Sequence, residues 1–392
     1  MKEQGMKRIL QDERGMALAV AIFALVVVGA LVAGAFFAGT QEQRVGENQR
    51  RVQASFGVAE AGAQERVLSW DPSTMNKRPL YCNCAGGDSV VIPNTPAPSG
   101  SGSYGGNSYK VGPNLFLIDV TGRDKASAAG AIAGGGGARQ RIGMITRLAP
   151  VDFGIHASLT TQGSVSVGGN ADINGADQVP TGWTSCDLPG PPQPGVRDQG
   201  GNVSETGNGT VLGNPPVVND PTINNNTFNV FGGATFAQLA ARATVTIPSG
   251  NYSTAPVVTN GVCDKAVLTN WGDGDNPAGV CASYFPIIYA TGTITLNNTQ
   301  GQGILLVNGD LNIDGSYQFY GIVIIQGDLK TAGGGTTEAH FWGGVMAKNA
   351  DLSVQNLSGK ATLNYSSCSI NAVLQATSPI SMMRSRGWVQ LY

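Results

Sequence analysis

The stretch 13–38 reads ERGMALAVAIFALVVVGALVAGAFFA: a charged leader ends in Arg14-Gly15, and the run Met16–Ala38 that follows carries no charge. At 1.5 Å of rise per residue that run makes a helix about 34 Å long, enough to cross a hydrocarbon core of about 30 Å. The sequence therefore predicts a membrane helix over 16–38, with Val20 and Phe23 within it. A secretory signal places its small-residue cleavage site after the apolar core. Here Gly15 stands before it, against the last leader charge.

Downstream, Gln41-Glu42-Gln43-Arg44-Val45-Gly46-Glu47-Asn48 leads through Gln49-Arg50-Arg51 to Phe56-Gly57-Val58-Ala59-Glu60-Ala61-Gly62. A leader glycine, an apolar run, an E-R-x-x-x-N-like polar turn carried by Glu42, Arg44 and Asn48, and then F-x-x-A-E-A-G resemble, in that order, the N-terminal module of PilX-type type IV pilus-assembly proteins. The resemblance covers 13–66. It implies cleavage between Gly15 and Met16 by a prepilin peptidase, methylation of the new N-terminus, and an inner-membrane helix with the remainder outside the cytoplasm. It further implies partnership with other pilins and minor pilins in a structural, non-enzymatic role at the cell surface. Fibre-forming prepilins carry Glu at mature position five, whereas cleavage here makes that position Val20. That departure suits a subunit at the tip or start of a fibre.

Composition sets bounds of its own. Glycine, 56 of 392 residues, is about twice its usual share, and the charged fraction of 13% is about half the ordinary one. Such a chain favours short strands and tight turns over salt-bridged helices. With 24 basic against 26 acidic side chains, the electrostatic footprint of a nucleic-acid-binding protein is absent. All six cysteines, Cys82, Cys84, Cys186, Cys263, Cys281 and Cys368, follow the apolar run. An even number on the exported side reads as disulfides in an oxidising compartment. Cys263 and Cys281 bracket a loop whose closure is worth about 3 kcal/mol. Cys82 and Cys84 flank one residue and are not expected to bridge each other. Basic residues flank both ends of the apolar run, so the positive-inside rule does not choose an orientation. Orientation rests on the cysteines and the resemblance.

After the span, Val45, Val52, Phe56, Ala59, Ala63 and Val67 form one helical stripe. The rod is expected over 16–69, after a 1–15 leader, and Trp70-Asp71-Pro72 ends it because the residue before proline avoids the α region. Residues 70–150 predict a small pilin-like β region: Asn114–Val120 and Arg139–Arg147 read as neighbouring strands, while Ser99–Gly106 and Gly134–Gly137 read as loop or hairpin tips. From 151 to 392 short strands are punctuated by related turns, Asn308-Gly309-Asp310-Leu311 and Gln326-Gly327-Asp328-Leu329, with weaker relatives at 348–354 and 163–169. A period near 20 suggests a β-solenoid-like domain, an antiparallel sandwich being the alternative. The Pro- and Asn-rich stretch 176–286, with a helix-like Ala234–Arg242, reads as a loop-rich insertion at one edge. The fold class is therefore α+β.

Chemistry-bearing constellations are few. Asp273-Gly274-Asp275-Asn276 starts like a calcium loop but lacks the later ligands, and an exposed acidic turn is the simpler reading. A polysaccharide-active enzyme would need Asp310, Asp328, Asp314, Glu338 and His340 to converge. Asp after Gly in a turn commonly serves the backbone alone. No cofactor is expected, and a membrane-anchored surface adhesin remains the alternative to a pilus subunit.

Overall fold

The computed structural model describes residues 6–82, 88–125, 137–184, 186, 189–332, 338–353, 360–383 and 387–391. One long apolar helix precedes a β-rich remainder, an α+β architecture. Helix α1 spans Met6–Leu68, so it takes in part of the leader instead of beginning at Met16. Its first half stands clear of the rest of the chain, Val20 being 66% and Phe23 70% exposed. Its last third is seated: Ser55, Val58, Ala59 and Ala63 are buried. The helix stops short of Pro72, and Asp71 then accepts from the Ser73 N–H to cap the single turn α2, Pro72–Met75.

The surface beneath α1 is an antiparallel meander of β1 (Val90–Pro96), β2 (Gly102–Gly112), β3 (Leu115–Asp124) and β4 (Arg139–Leu148). The expected pairing of β3 with β4 is present, with Leu117 opposite Ile145. The expected loop at 99–106 is mostly strand, and the reason is close approach: a Cβ on Gly102 or Gly106 would lie 1.9 Å from the carbonyl oxygen of Arg123 or Asp119. Those glycines let β2 and β3 lie together. Of the expected tip 134–137, only Gly137 falls within the described residues.

Two further strands, Ile380–Met382 and Trp388–Leu391, return from the far end of the sequence and pair with β4. The sequence reading placed them in the second domain. In the structure Ile380 faces Leu148, and the Ala149 N–H donates to the Pro379 carbonyl. Everything between 150 and 378 is thus inserted between two neighbouring strands of the first sheet.

That insertion is a sixteen-stranded, mostly parallel sheet wrapped nearly closed around its own core. Residues stack in continuous columns, one of which runs Val245, Ile288, Leu305, Val323, Val345, Leu159, Val196, Val217. A second runs Ile294, Leu311, Leu329, Ala350, Val165, Val203, and a third Phe319, Phe341, Leu363, Ile173, Val211. The order is informative. The chain joins the stack in its middle at Leu159, winds to one end at Val217, crosses over 220–244, and resumes at the opposite end at Val245. It then winds back until Lys360–Tyr365 lies beside Asp172–Asn174. Joining and leaving points are neighbours, as an insertion between adjacent strands requires.

The stretch 176–286 is therefore not one edge insertion. It contributes the strands Val196–Asp198, Val203–Glu205, Thr210–Leu212, Val217–Asn219, Val245–Ile247 and Gly250–Tyr252 to the stack. Its prolines and asparagines fit there because strands of three residues leave a turn every few positions. The longer excursions are 220–244, which carries α3 (Phe236–Ala240), and 254–286. Helix α4 (Ser367–Thr377) leads back out of the stack toward the first sheet.

Candidate functional site

The docking of α1 explains its short residues. On β3, a Cβ at Gly122 would lie 2.2 Å from the Ser55 carbonyl oxygen and 2.4 Å from the Ala59 nitrogen. On the helix, a Cβ at Gly62 would meet the Tyr104 ring at 2.4 Å. Helix and sheet thus touch through backbone, and Ala59, Gly62 and Ala63 are the small face that permits it. Tyr104 reaches past Gly62 to hydrogen-bond the Glu65 carboxylate. Burial, reinforced by that carboxylate, pushes the Tyr104 hydroxyl up to about 12. Glu60 and Ala61 are half-buried beside this contact, whereas Glu42, Arg44, Asn48 and Phe56 are exposed. The apolar stripe is accordingly split: Val45 (55%), Val52 (42%) and Phe56 (41%) face outward, and only its later members meet the sheet.

Gly15 and Met16 lie within α1, and Met16 and Ala38 bound its exposed apolar segment. Among the described residues, one helix is long and apolar enough to cross a membrane, with a mean hydropathy of 2.9 and none of the apolar window buried. Cys263 is bridged to Cys281 and Cys186 to Cys368, the second bond tying a loop of the excursion side to α4. Cys82 is also disulfide-bonded, and Cys84 lies outside the described residues.

Asp310 and Asp328 align on successive turns and share Lys330 Nζ at 3.9 and 3.3 Å, as an alignment on successive rungs requires, and the other candidates do not join them. Asp310 accepts from the Asp328 N–H at 2.9 Å, Asp328 accepts from the Asn349 amide at 2.8 Å, and Asn349 accepts from the Ser164 N–H at 3.2 Å. They form a ladder along one corner of the stack, stitching the related turns to each other. His340 belongs to a different column and is bonded to Thr362, while Asp314 sits at a strand position opposite Asn297. Glu338 begins the strand that carries His340. Asp273 is not the exposed turn residue expected: it is buried and accepts from the Gln300 amide at 2.9 Å. Asp275 accepts from the Tyr320 hydroxyl at 2.7 Å. Among the described residues, no group of three or more His, Cys, Asp or Glu side chains is placed to hold a metal.

Where the two sheets meet, the structure assembles a concavity that sequence reading did not find. Asn76, on the turn after α2, accepts from the Trp70 indole at 2.8 Å and donates to the Gln375 and Ser378 carbonyls at 2.7 and 2.8 Å. This one side chain joins the α1 end to the α4 end. Beside it opens a cavity of about 500 Å³ walled by Lys77 from the turn after α2, Lys110 from β2, Trp183 and Phe285 from the stack's loops, and Asn371 and Gln375 from α4. Trp183 is held from behind, stacked on Tyr320 with centroids 5.5 Å apart and its indole N–H on the Gly274 carbonyl at 2.9 Å. The residues come from six separate stretches of chain, so no local spacing announces them.

Fold and helix together define an α+β protein with one N-terminal helix able to span a bilayer and a β-rich remainder. No protein-family model matches the sequence, and no curated protein sequence matches it. Among solved structures the chain is similar to the competence-associated pilin ComZ from Thermus thermophilus, at 11% identity, with 87% of this chain and 98% of that chain covered and a TM-score of 0.23. Identity and superposition at that level do not show a shared fold.

Proposed function

We propose that the chain is a pilin-like subunit of a type IV pilus or related assembly, non-enzymatic, with its β-rich part outside the cytoplasm. The observation that carries this reading is the division of α1. Its last third is locked by small residues onto the antiparallel sheet, and 16–38 projects as an apolar rod with a leader glycine at its start. Leu25 (74%) and Phe36 (75%) would cost several kcal/mol together if left in water, so the rod belongs in a bilayer or against other helices. A prepilin peptidase cutting between Gly15 and Met16 releases the subunit from its leader, and other pilins then cover the stripe of Val45, Val52 and Phe56. The parallel stack is a β-solenoid carried on the pilin-like sheet as an insertion, displayed away from the fibre axis.

Position in the fibre follows from Val20. In an apolar helix bundle an unpaired charge is costly. A carboxylate at that position would meet the amine of a neighbouring subunit, and Val20 does not. A subunit with no predecessor needs no such partner, so the protein belongs at the tip or start of the fibre. N-terminal sequencing of the protein from cells tests the reading: it should begin at Met16, and Gly15→Ala should leave the leader attached. A mature chain that still begins at Met1 would contradict it.

A further inference from the structure

The cavity between the two sheets is lined by polar groups that the protein itself does not use. Lys77 Nζ lies 5.0 Å from the Phe285 ring centroid and makes no hydrogen bond or ion pair among the described residues. The Asn371 and Gln375 side-chain amides, one turn apart on α4, are likewise unpartnered there. Gln302, fully buried in the cavity wall, spends its Nε2 on the Ala282 and Tyr284 carbonyls at 2.9 and 2.7 Å and leaves its Oε1 without a partner. A buried acceptor left unsatisfied calls for an explanation.

The chemistry of the wall narrows the ligand. Trp183, clamped by Tyr320 and Gly274, and Phe285, edge-on to it at 6.2 Å, present fixed aromatic surface suited to a face rich in C–H groups. Two amides at helical spacing supply both donors and acceptors, the pattern that hydroxyl groups require. Lys110 gives one bond, to the Asn76 carbonyl at 2.6 Å, and has two further N–H groups. Two ammonium groups line the cavity against one carboxylate, Asp273, which is already bonded to Gln300. Partial desolvation and, to a smaller extent, repulsion from Lys265 pull the ammonium of Lys77, which stays exposed at the cavity rim, down to about 8 against the attraction of Asp71. A neutral ligand would leave that excess positive charge uncompensated. The volume lies within the range of about 300–1,000 Å³ of small-molecule sites, and junctions between folded units are a common place for them.

We propose that this cavity binds a sugar acid, a hexuronate unit of an acidic polysaccharide, with its ring against Trp183 and Phe285, its carboxylate at Lys77 and Lys110, and its hydroxyls on Asn371 and Gln375. The site needs no assembled fibre. A chain that binds uronate yet never enters pili would leave it standing and overturn the pilus reading, and the reverse result would do the opposite.

The test is calorimetric titration of the full-length chain in detergent micelles with galacturonate and with short oligogalacturonates, glucose and acetate serving as neutral and plain-anion probes. Uronate should bind, with glucose at least about tenfold weaker because it lacks the carboxylate for Lys77 and Lys110, and acetate at least about tenfold weaker because it lacks the ring and hydroxyls for the aromatic and amide groups. Lys77→Gln should lower uronate affinity about tenfold while shifting the melting temperature little, because the one contact the side chain makes is over the Phe285 ring. Trp183→Ala should lower it further. Absence of uronate binding, equal binding of glucose, or unchanged affinity in Lys77→Gln would overturn the proposal.

Discussion

In the antiparallel sheet Phe116, Ile118 and Val120 of β3 are buried against Val58, Ala59 and Ala63 of α1, whereas in the parallel stack Leu311, Ile313 and Phe319 are buried against the stack's own columns. The first core is closed by a helix most of whose length has another task. The second closes on itself. The difference teaches how a large domain is carried on a small anchor: the insertion brings its own core and is joined through two adjacent strand ends, the Asn76 junction and a few side-chain contacts such as Lys265 on Ser73. Damage to one region should therefore leave the other standing.

The largest expected effect is inside the stack. Phe319→Ala removes a ring from a column in which it lies between Gly301 and Phe341, at a cost of about 3–5 kcal/mol. Limited proteolysis should then cut within 150–378 while the segment 55–124 stays protected; simultaneous loss of both would break the comparison. Next comes Gly122→Val, which drives a side chain into the α1 backbone and should cost about 3 kcal/mol. Its signature is exposure of Ala59 and Ala63 to hydrogen exchange with the stack's protection unchanged. At the junction, Asn76→Ala leaves the Trp70 indole and the Gln375 and Ser378 carbonyls unpartnered, for a loss of about 2 kcal/mol. Two separated thermal transitions in place of one would show that Asn76 couples the regions.

The smallest effect is electrostatic and confined to one end of the stack. Asp220 is held down to about 2 by bonds from Thr222 first and from Arg197 second. A carboxylate whose folded pKa is depressed adds stability that is complete above its unfolded value near 4 and is lost as the pH falls toward 2. Hydrogen exchange at 217–219, corrected for the intrinsic pH dependence of amide exchange, should accelerate across that window in the native chain and less in Asp220→Asn. Equal acceleration in both would assign the acid sensitivity elsewhere.

Much of this division was legible in the residues, and the parts that were not share a cause. The apolar run, the break at Pro72, the neighbouring strands β3 and β4 and the repeated Gly-Asp turns are all local signals. The return of Ile380–Met382 to β4 is not, since which strand a short apolar segment joins is decided by a partner more than two hundred residues away. The order of the stack was hidden for the same reason: 159–219 precedes 245–365 in sequence and follows it in space. The AEAG segment was visible as a motif, but its use as a small face against Gly122 and Tyr104 needed the sheet. Lys77, Trp183 and Gln302 carried no spacing at all, because a cavity between folded units is built from whatever their ends present.

The central claim is that this chain is a fibre subunit whose anchor helix leaves the membrane. Shearing surface fibres from cells and probing the sheared and membrane fractions for the protein tests it most directly. The account predicts a small amount of chain beginning at Met16 in the sheared fibres, with labelling at fibre ends. A chain confined to the membrane fraction and still beginning at Met1 would contradict it.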